Sequence, residues 1–386
     1  MASYNLELKG VDEKIVFSLS GRIDSGNAAE AEKEMLSIVE ANPGKNVVID
    51  MTGLEYVSSA GLRGLLKISK QAPKLTLTEV SPEVYEIFEM TGFLNVLEVK
   101  KRMREVSVEG CPVIGEGKNS IVYRLDEDKI IKVYKPKNTM EDIENEHNSA
   151  QKALLMGMPT AVSYDIVRVG NLYGTVFELV NARSVIGCIY DEPENKQKYI
   201  KMFAEFLKEI NAIEAKPGEL PSRKERYELA LSRIQAEISE EEYASLKTLM
   251  DSVPESNNIV HGDYQPNNVM VSENELLIID MDTLSVGDPI FDLVSCYNTC
   301  VGFEILNPGE DFLKLGPDNN EKLVEDIIDI YYKDLSPVEM EKKRNAIYAL
   351  SLMYMTEWAI RHPSGVKEGQ TEVCKSLLKN AISKLG

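Results

Sequence analysis

Ile259-Val260-His261-Gly262-Asp263-Tyr264-Gln265-Pro266-Asn267-Asn268-Val269-Met270-Val271 is the stretch on which the reading of this chain turns. It sets Asp263 five residues before Asn268, between two apolar strand segments. The next apolar segment, 276–279, reads as a strand that ends in Asp280-Met281-Asp282. Carboxylates therefore stand at a strand end, and such hard oxygen donors suit a magnesium ion carrying nucleotide phosphates. An Asp-x4-Asn spacing arises often by chance; the whole ordered set does not.

Upstream, Gly115-Glu116-Gly117-Lys118-Asn119-Ser120-Ile121-Val122 fits G-x-G-x-x-G-x-V, with Ser120 in place of the third glycine. Gly115 and Gly117 would let a strand-turn-strand backbone approach phosphate oxygens without Cβ clashes, and Val122 would pack on a base. A Walker loop is excluded, because Pro112 stands where its first glycine should be and Asn119 follows Lys118. Ile130-Ile131-Lys132-Val133 is an apolar strand with one inward lysine, fifteen residues after Gly117. Burying Lys132 is expensive without anionic partners; a phosphate and a carboxylate would supply them. The following helix offers Glu144 and Glu146. Glu146 shares a face with Ala150, Ala153 and Leu154, and so is the expected partner.

The spacing of Asp263 and Asn268 reproduces that of a kinase catalytic loop, in which the aspartate orients and deprotonates the attacking hydroxyl and the asparagine ligates magnesium. Residues 113–300 resemble the aminoglycoside phosphotransferase and choline kinase family, a branch of the protein-kinase-like fold. The match is H-G-D-Y-Q-P-N-N, then I-I-D-M-D, then G-D-P-I-F-D-L from Gly287 to Leu293. The resemblance implies that Asp263 is the base, that Asn268 and Asp280 bind magnesium, and that Lys132 with Glu146 holds the phosphates of ATP or GTP. It also implies that His261, Asp288 and Asp292 brace the catalytic loop. Eukaryotic-type protein kinases differ in two respects: Asp280 is followed by Met281-Asp282, not Phe-Gly, and no Ala-Pro-Glu signature follows. The expected acceptor is thus a small-molecule hydroxyl. The helices after Asp292 carry no motif that names it.

The first hundred residues alternate strand and helix signals in a β-β-α-β-α-β-α order, a compact α/β unit. A helix is expected to begin at Ser81 with Pro82 next to it. The stretch Asp50-Met51-Thr52-Gly53-Leu54-Glu55-Tyr56-Val57-Ser58-Ser59-Ala60-Gly61-Leu62-Arg63 resembles the signature of the STAS family, the fold of anti-sigma-factor antagonists, over residues 3–100. In phosphoregulated members a serine stands just before the glycine of this loop. Here Ala60 precedes Gly61, with Ser58 and Ser59 upstream. Both serines suit helix capping.

The expected fold is therefore two domains: an N-terminal α/β STAS-like unit, a mixed sheet with helices, over 1–104, and a bilobal α+β protein-kinase-like domain over 105–386. A small lobe is expected to about 180 and a large helical lobe beyond. The basic run Lys100-Lys101-Arg102-Met103-Arg104 reads as the linker. Helices are expected over about 140–156, 196–214, 224–238, 240–253, 321–333 and 337–360.

At 386 residues the chain has room for two or three cores. Its net charge of −20 argues against nucleic-acid or anionic-membrane partners. Residues 1–104 carry 13 basic and 15 acidic side chains, a net of −2, and the remainder a net of −18. The N-terminus has no signal-peptide pattern, and no apolar run reaches membrane-spanning length; a cytoplasmic protein is expected. The five cysteines include no Cys-x-x-Cys. Cys296 and Cys300 read as core residues rather than as a metal pair.

Two functions remain in view: an ATP- and magnesium-dependent phosphotransferase with a regulatory or docking STAS unit, or a signalling regulator. In the second, the STAS unit binds an anti-sigma-like partner and the kinase-like unit phosphorylates a protein or senses nucleotide. The complete Lys, Asp, Asn, Asp set favours the enzyme.

Overall fold

Alternation of apolar residues builds the first sheet. The structure is a computed structural model describing residues 4–272 and 275–385. Its chain divides into two compact units, Met1–Val106 and Ser107–Gly386. In the first, β1 (Tyr4–Val11) pairs antiparallel with β2 (Lys14–Ile23). The strands β3 (Asn46–Val57), β4 (Leu75–Val80) and β5 (Glu98–Lys101) then add in parallel, in the order β1-β2-β3-β4-β5. Ile15, Phe17 and Leu19 on β2 and Val47, Ile49 and Met51 on β3 point to one buried face, the period of two that a strand imposes. Helices α1 (Ala28–Ala41), α2 (Ser59–Gln71) and α3 (Pro82–Met90) cover that core. The hydroxyl of Ser81 accepts from the amide of Val84 to start α3.

The basic run expected to be a linker is in part a strand. Lys101 pairs with Val80 and Val99 with Leu77, so Lys100 and Lys101 close β5 at the edge of the sheet. Their backbones complete a ladder while their ammonium groups stay in water. Lysine on an edge strand also discourages pairing with other chains.

The second unit opens with an antiparallel sheet of β6 (Val113–Glu116), β7 (Ser120–Arg124), β8 (Lys129–Tyr134), β9 (Ser163–Val169) and β10 (Leu172–Glu178). Their order is β6-β7-β8-β10-β9. Helix α4 (Met140–Leu155) lies between β8 and β9 in sequence and starts in a capping box of Thr139 and Asp142. It buries Ile143, Glu146, Ala150 and Ala153. Glu146 thus occupies the apolar stripe itself.

The rest is mainly helical. It contains β11 (Arg183–Ser184), α5 (Val185–Asp191), α6 (Lys196–Asn211), α7 (Arg223–Arg233) and α8 (Glu240–Ser252). Then come β12 (Ile259–Val260), β13 (Val269–Ser272), β14 (Glu275–Ile278) and β15 (Ser285–Val286). Helices α9 (Ile290–Tyr297), α10 (Phe303–Leu306), α11 (Pro317–Tyr331), α12 (Pro337–Arg361) and α13 (Gln370–Ile382) finish the chain. The sequence reading did not anticipate α5, α9 or α13. All eight residues of α9 are buried, which erases the polar face that a helical period needs. Cys296 and Cys300 lie in this core with their sulfurs 3.9 Å apart. Among the described residues no helix is long and apolar enough to cross a membrane.

Candidate active site

The hairpin of β13 and β14 pairs Val269 with Ile278, so Asn268 and Asp280 emerge from the same end of it. Asp280 has φ of +71°, a conformation costly for a residue with a Cβ. The strained turn goes with a contact: Oδ1 of Asp280 lies 3.0 Å from Nζ of Lys132. Lys132 comes from β8, where Ile131 and Val133 on either side are buried. Its ammonium also meets Oε1 of Glu146 at 2.6 Å. The other Glu146 oxygen accepts from Tyr134 Oη at 3.1 Å, and that hydroxyl is 3.0 Å from Thr175 Oγ1. Burial alone would lower the Lys132 pKa, but Asp280 and Glu146 outweigh it and push the group up. Lys132 is therefore a fixed cation.

Asp263 is held from two sides. Its Oδ2 accepts from Gln265 Nε2 at 2.9 Å and from Asn268 Nδ2 at 2.9 Å. Burial pushes its carboxyl above the ordinary value against those hydrogen bonds. The backbone amide of Asp263 donates to Nδ1 of His261 at 3.3 Å, and Nε2 of His261 lies 3.1 Å from the Ile279 carbonyl. This assigns the neutral tautomer with its proton on Nε2. His261, wholly buried, ties the Asp263 loop to the strand before Asp280.

Asp292, also fully buried, accepts from the amides of His261 (3.1 Å) and Gly262 (2.7 Å) and from Asn211 Nδ2 (2.9 Å). Asp288, expected to brace the same loop, does something else. Its Oδ1 accepts from the amide of Ile290 at 2.9 Å, within the first turn of α9. Pro289 follows it directly and carries the chain into the helix.

The glycine segment forms the turn between β6 and β7, closed by the Gly117 amide on the Ser120 carbonyl at 2.9 Å. Gly115 pairs with Val122 across the hairpin, and Ser120 is buried. A Cβ at Gly115 would meet nothing nearer than 3.7 Å, and one at Gly117 nothing nearer than 3.9 Å. The protein's own packing does not demand glycine here; the space lies open to a ligand. The ammonium of Lys118, at the hairpin tip, sits 5.9 Å from the ring centroid of Trp358 on α12.

Asp282 was read only as one of the carboxylates at the strand end. Desolvation in this crowded turn, then the charges of Asp280, Glu146 and Asp263, push its carboxyl up to about 7, even though the residue as a whole is exposed. Gln265, Asn211 and Arg223 were missed as well. Gln265 lies inside the quoted motif and could have been found there, whereas Asn211 and Arg223 come from distant helices without a motif.

In the first unit, Ser58 Oγ accepts from the Gly61 amide at 3.3 Å and caps α2. Ser59 is the exposed first residue of that helix. A Cβ on Gly61 would lie 2.6 Å from Ile23 Cγ2 and 2.8 Å from Val57 Cγ2, so packing alone requires glycine there.

Family models agree with this division. A STAS domain model matches residues 5–106, and the model of the phosphotransferase enzyme family matches 111–313. A protein of Bordetella bronchiseptica named as an anti-sigma factor antagonist is 37% identical over 98 residues, covering 24% of this chain and 84% of that protein. An anti-sigma-B factor antagonist of Listeria monocytogenes is 31% identical over 101 residues, covering 25% and 88%. Among solved structures, an aminoglycoside phosphotransferase in complex with GDP and kanamycin is 16% identical, with a TM-score of 0.47, and covers 78% of this chain and 98% of that one. The chain belongs to the phosphotransferase enzyme family and carries a STAS domain ahead of its phosphotransferase domain.

Proposed function

We propose that the second unit transfers the γ-phosphoryl group of ATP or GTP to a hydroxyl of a small molecule, with Asp263 as the base. The observation that carries this reading is the convergence of Glu146 and Asp280 on the Lys132 ammonium, at 2.6 and 3.0 Å, together with the Asp263–Asn268 hydrogen bond. Lys132, oriented by Glu146, would hold nucleotide phosphates beneath the open glycine hairpin; Gly115, Gly117, Ser120 and Val122 would line the nucleotide.

The donor set fits magnesium. Asn268 commits its amide nitrogen to the Asp263 carbonyl (3.0 Å) and carboxylate (2.9 Å), which leaves its Oδ1 for a cation. Asp280 and Asp282 add hard oxygens. Among the described residues no three His, Cys, Asp or Glu side chains form a metal cage. Magnesium is usually held by one or two carboxylates plus phosphates, so the ion would arrive with the nucleotide. When bound, it would neutralise charge on the phosphates. Asp263 would then orient the acceptor hydroxyl and take its proton, while Gln265 and Asn268 fix the carboxylate's rotamer.

The first unit would serve as a docking surface for a protein of the anti-sigma-factor type, centred on Ser58–Arg63. Ser58 is committed to capping and Ala60 occupies the position of the usual phosphoacceptor, so docking would not need a phosphorylation cycle at this loop.

Calorimetry with ATP and GTP in the presence of magnesium tests the nucleotide site. A coupled assay over aminoglycosides, choline, sugars and hydroxyamino acids tests the acceptor. No nucleotide binding under either condition would overturn the enzyme reading.

A further inference from the structure

Arg223, the first residue of α7, is 4% exposed. Among the described residues no carboxylate forms an ion pair with it. Its Nη2 donates to the Gly262 carbonyl, and its Nη1 reaches the Thr283 carbonyl at 3.5 Å. Gly262 immediately precedes Asp263; Thr283 immediately follows Asp282. Thr283 Oγ1 in turn donates to the His261 carbonyl at 2.7 Å, and Ser295 Oγ donates to the Gly262 carbonyl at 3.0 Å. One guanidinium thus joins the loop of the proposed base to the turn that carries the proposed metal ligands.

The backbone is shaped around this contact. Gly262 has φ of +82°, and a Cβ there would lie 2.5 Å from the Arg223 Cζ. Glycine at this position therefore provides both the left-handed turn and the room for the guanidinium. The start of α7 is itself pinned, with the Val286 amide donating to the Pro221 carbonyl at 2.9 Å.

Stability alone does not account for an arginine here. Its Nε is buried without a partner. Replacing a buried ion by an apolar side chain of similar volume is often neutral or stabilising. We propose that Arg223 is a positioning residue, which holds the Asp263 loop and the Asp280–Asp282 turn in register. The proposal rests on the phosphotransferase reading for its kinetic consequence, though not for its geometry.

The test uses the full chain with Arg223→Met and Arg223→Lys, each shown folded by thermal melting. Mg-ATP consumption gives kcat, calorimetry with a non-hydrolysable ATP analogue gives affinity, and hydrogen exchange is followed over 259–268 and 280–284. The methionine variant is expected to lose about 100-fold in kcat, the scale of a small misplacement of reacting groups, with affinity for the analogue in the absence of magnesium unchanged. Exchange in both segments should rise. The lysine variant, which keeps the charge and can reach one carbonyl, should recover part of both. Unchanged kcat in Arg223→Met, or kcat and affinity falling together, would overturn the proposal. Should the wild-type chain consume no ATP, the enzyme reading fails separately. Exchange then decides: a rise in the methionine variant that lysine reverses supports the positioning role, and no rise refutes it. If Arg223→Met does not fold, the same criteria apply to Arg223→Lys against wild type.

Discussion

The ammonium of Lys132 lies 3.0 Å from Oδ1 of Asp280, a residue 148 positions later in the chain, and 2.6 Å from Oε1 of Glu146. A β-strand, a helix and a strained turn thereby share one charge. Stranding one member of a buried pair costs about 3–5 kcal/mol; with Asp280 still beside Lys132, loss of Glu146 should cost only part of that. Glu146→Ala should lower the denaturant midpoint accordingly, and Lys132→Met should weaken Mg-nucleotide binding as well. Pairing the two substitutions should cost less than the sum of the single ones. Strict additivity would mean that the pair is not coupled.

Asp263→Asn removes the proposed base and keeps the side-chain size. Turnover should fall by about 10²–10⁴-fold, the usual contribution of a positioned base, while nucleotide affinity stays near wild type. Full activity in this variant would assign the proton transfer elsewhere.

Asp292 and Asp288 offer an internal comparison. The Asp292 carboxylate accepts three hydrogen bonds from buried donors, so Asp292→Ala should destabilise the protein by about 3–5 kcal/mol and depress turnover. Asp288 accepts the amide of Ile290, and Asp288→Ala should cost about 1 kcal/mol, as the loss of a single hydrogen bond does. Equal denaturant midpoints for the two variants would contradict the division of labour seen in the structure.

His147 supplies an acid-sensitive contact. Burial holds its pKa below the usual 6.5, outweighing the nearby Asp165, and its Nδ1 lies 2.7 Å from Ser163 Oγ. Because the folded form resists protonation, the unfolded chain takes up the proton first as the pH drops. The stabilisation is complete above the unfolded pKa and is lost as pH falls below about 6.5 toward the folded value. His147→Gln should flatten the melting temperature over that window; an unchanged slope would place the acid sensitivity in other groups.

Incubation with Mg-ATP followed by peptide mass spectrometry should leave Ser58 and Ser59 unmodified. Ser58→Ala should cost about 1 kcal/mol through loss of the α2 cap. A stoichiometric phosphate on either serine, absent in Asp263→Asn, would show instead that the kinase-like unit modifies its neighbour.

The sequence alone was enough for much of what depends on local chemistry. The spacing of Asp263, Asn268 and Asp280, the single inward Lys132 and the alternating strands of the first unit all follow from short-range geometry, because a strand's period and a loop's donors are written within a few residues. The choice of Glu146 over Glu144 was also legible, since a helix puts Glu146 on the same stripe as Ala150 and Ala153. Long-range partners were not. Arg223 reaches Gly262 from a helix 39 residues upstream, and Asn211 reaches Asp292 across 81 residues; neither separation leaves a pattern in the chain. Lys100 and Lys101 look like a solvated linker until β4 offers a neighbour whose unpaired backbone they can complete. Asp288 and Asp292 are equivalent as letters, and only the turn at Pro289 sends one to the start of α9 and the other beneath the loop of Asp263. Hydrogen-bond satisfaction in a buried interior is settled by what the fold brings near, and that is a property of the tertiary structure.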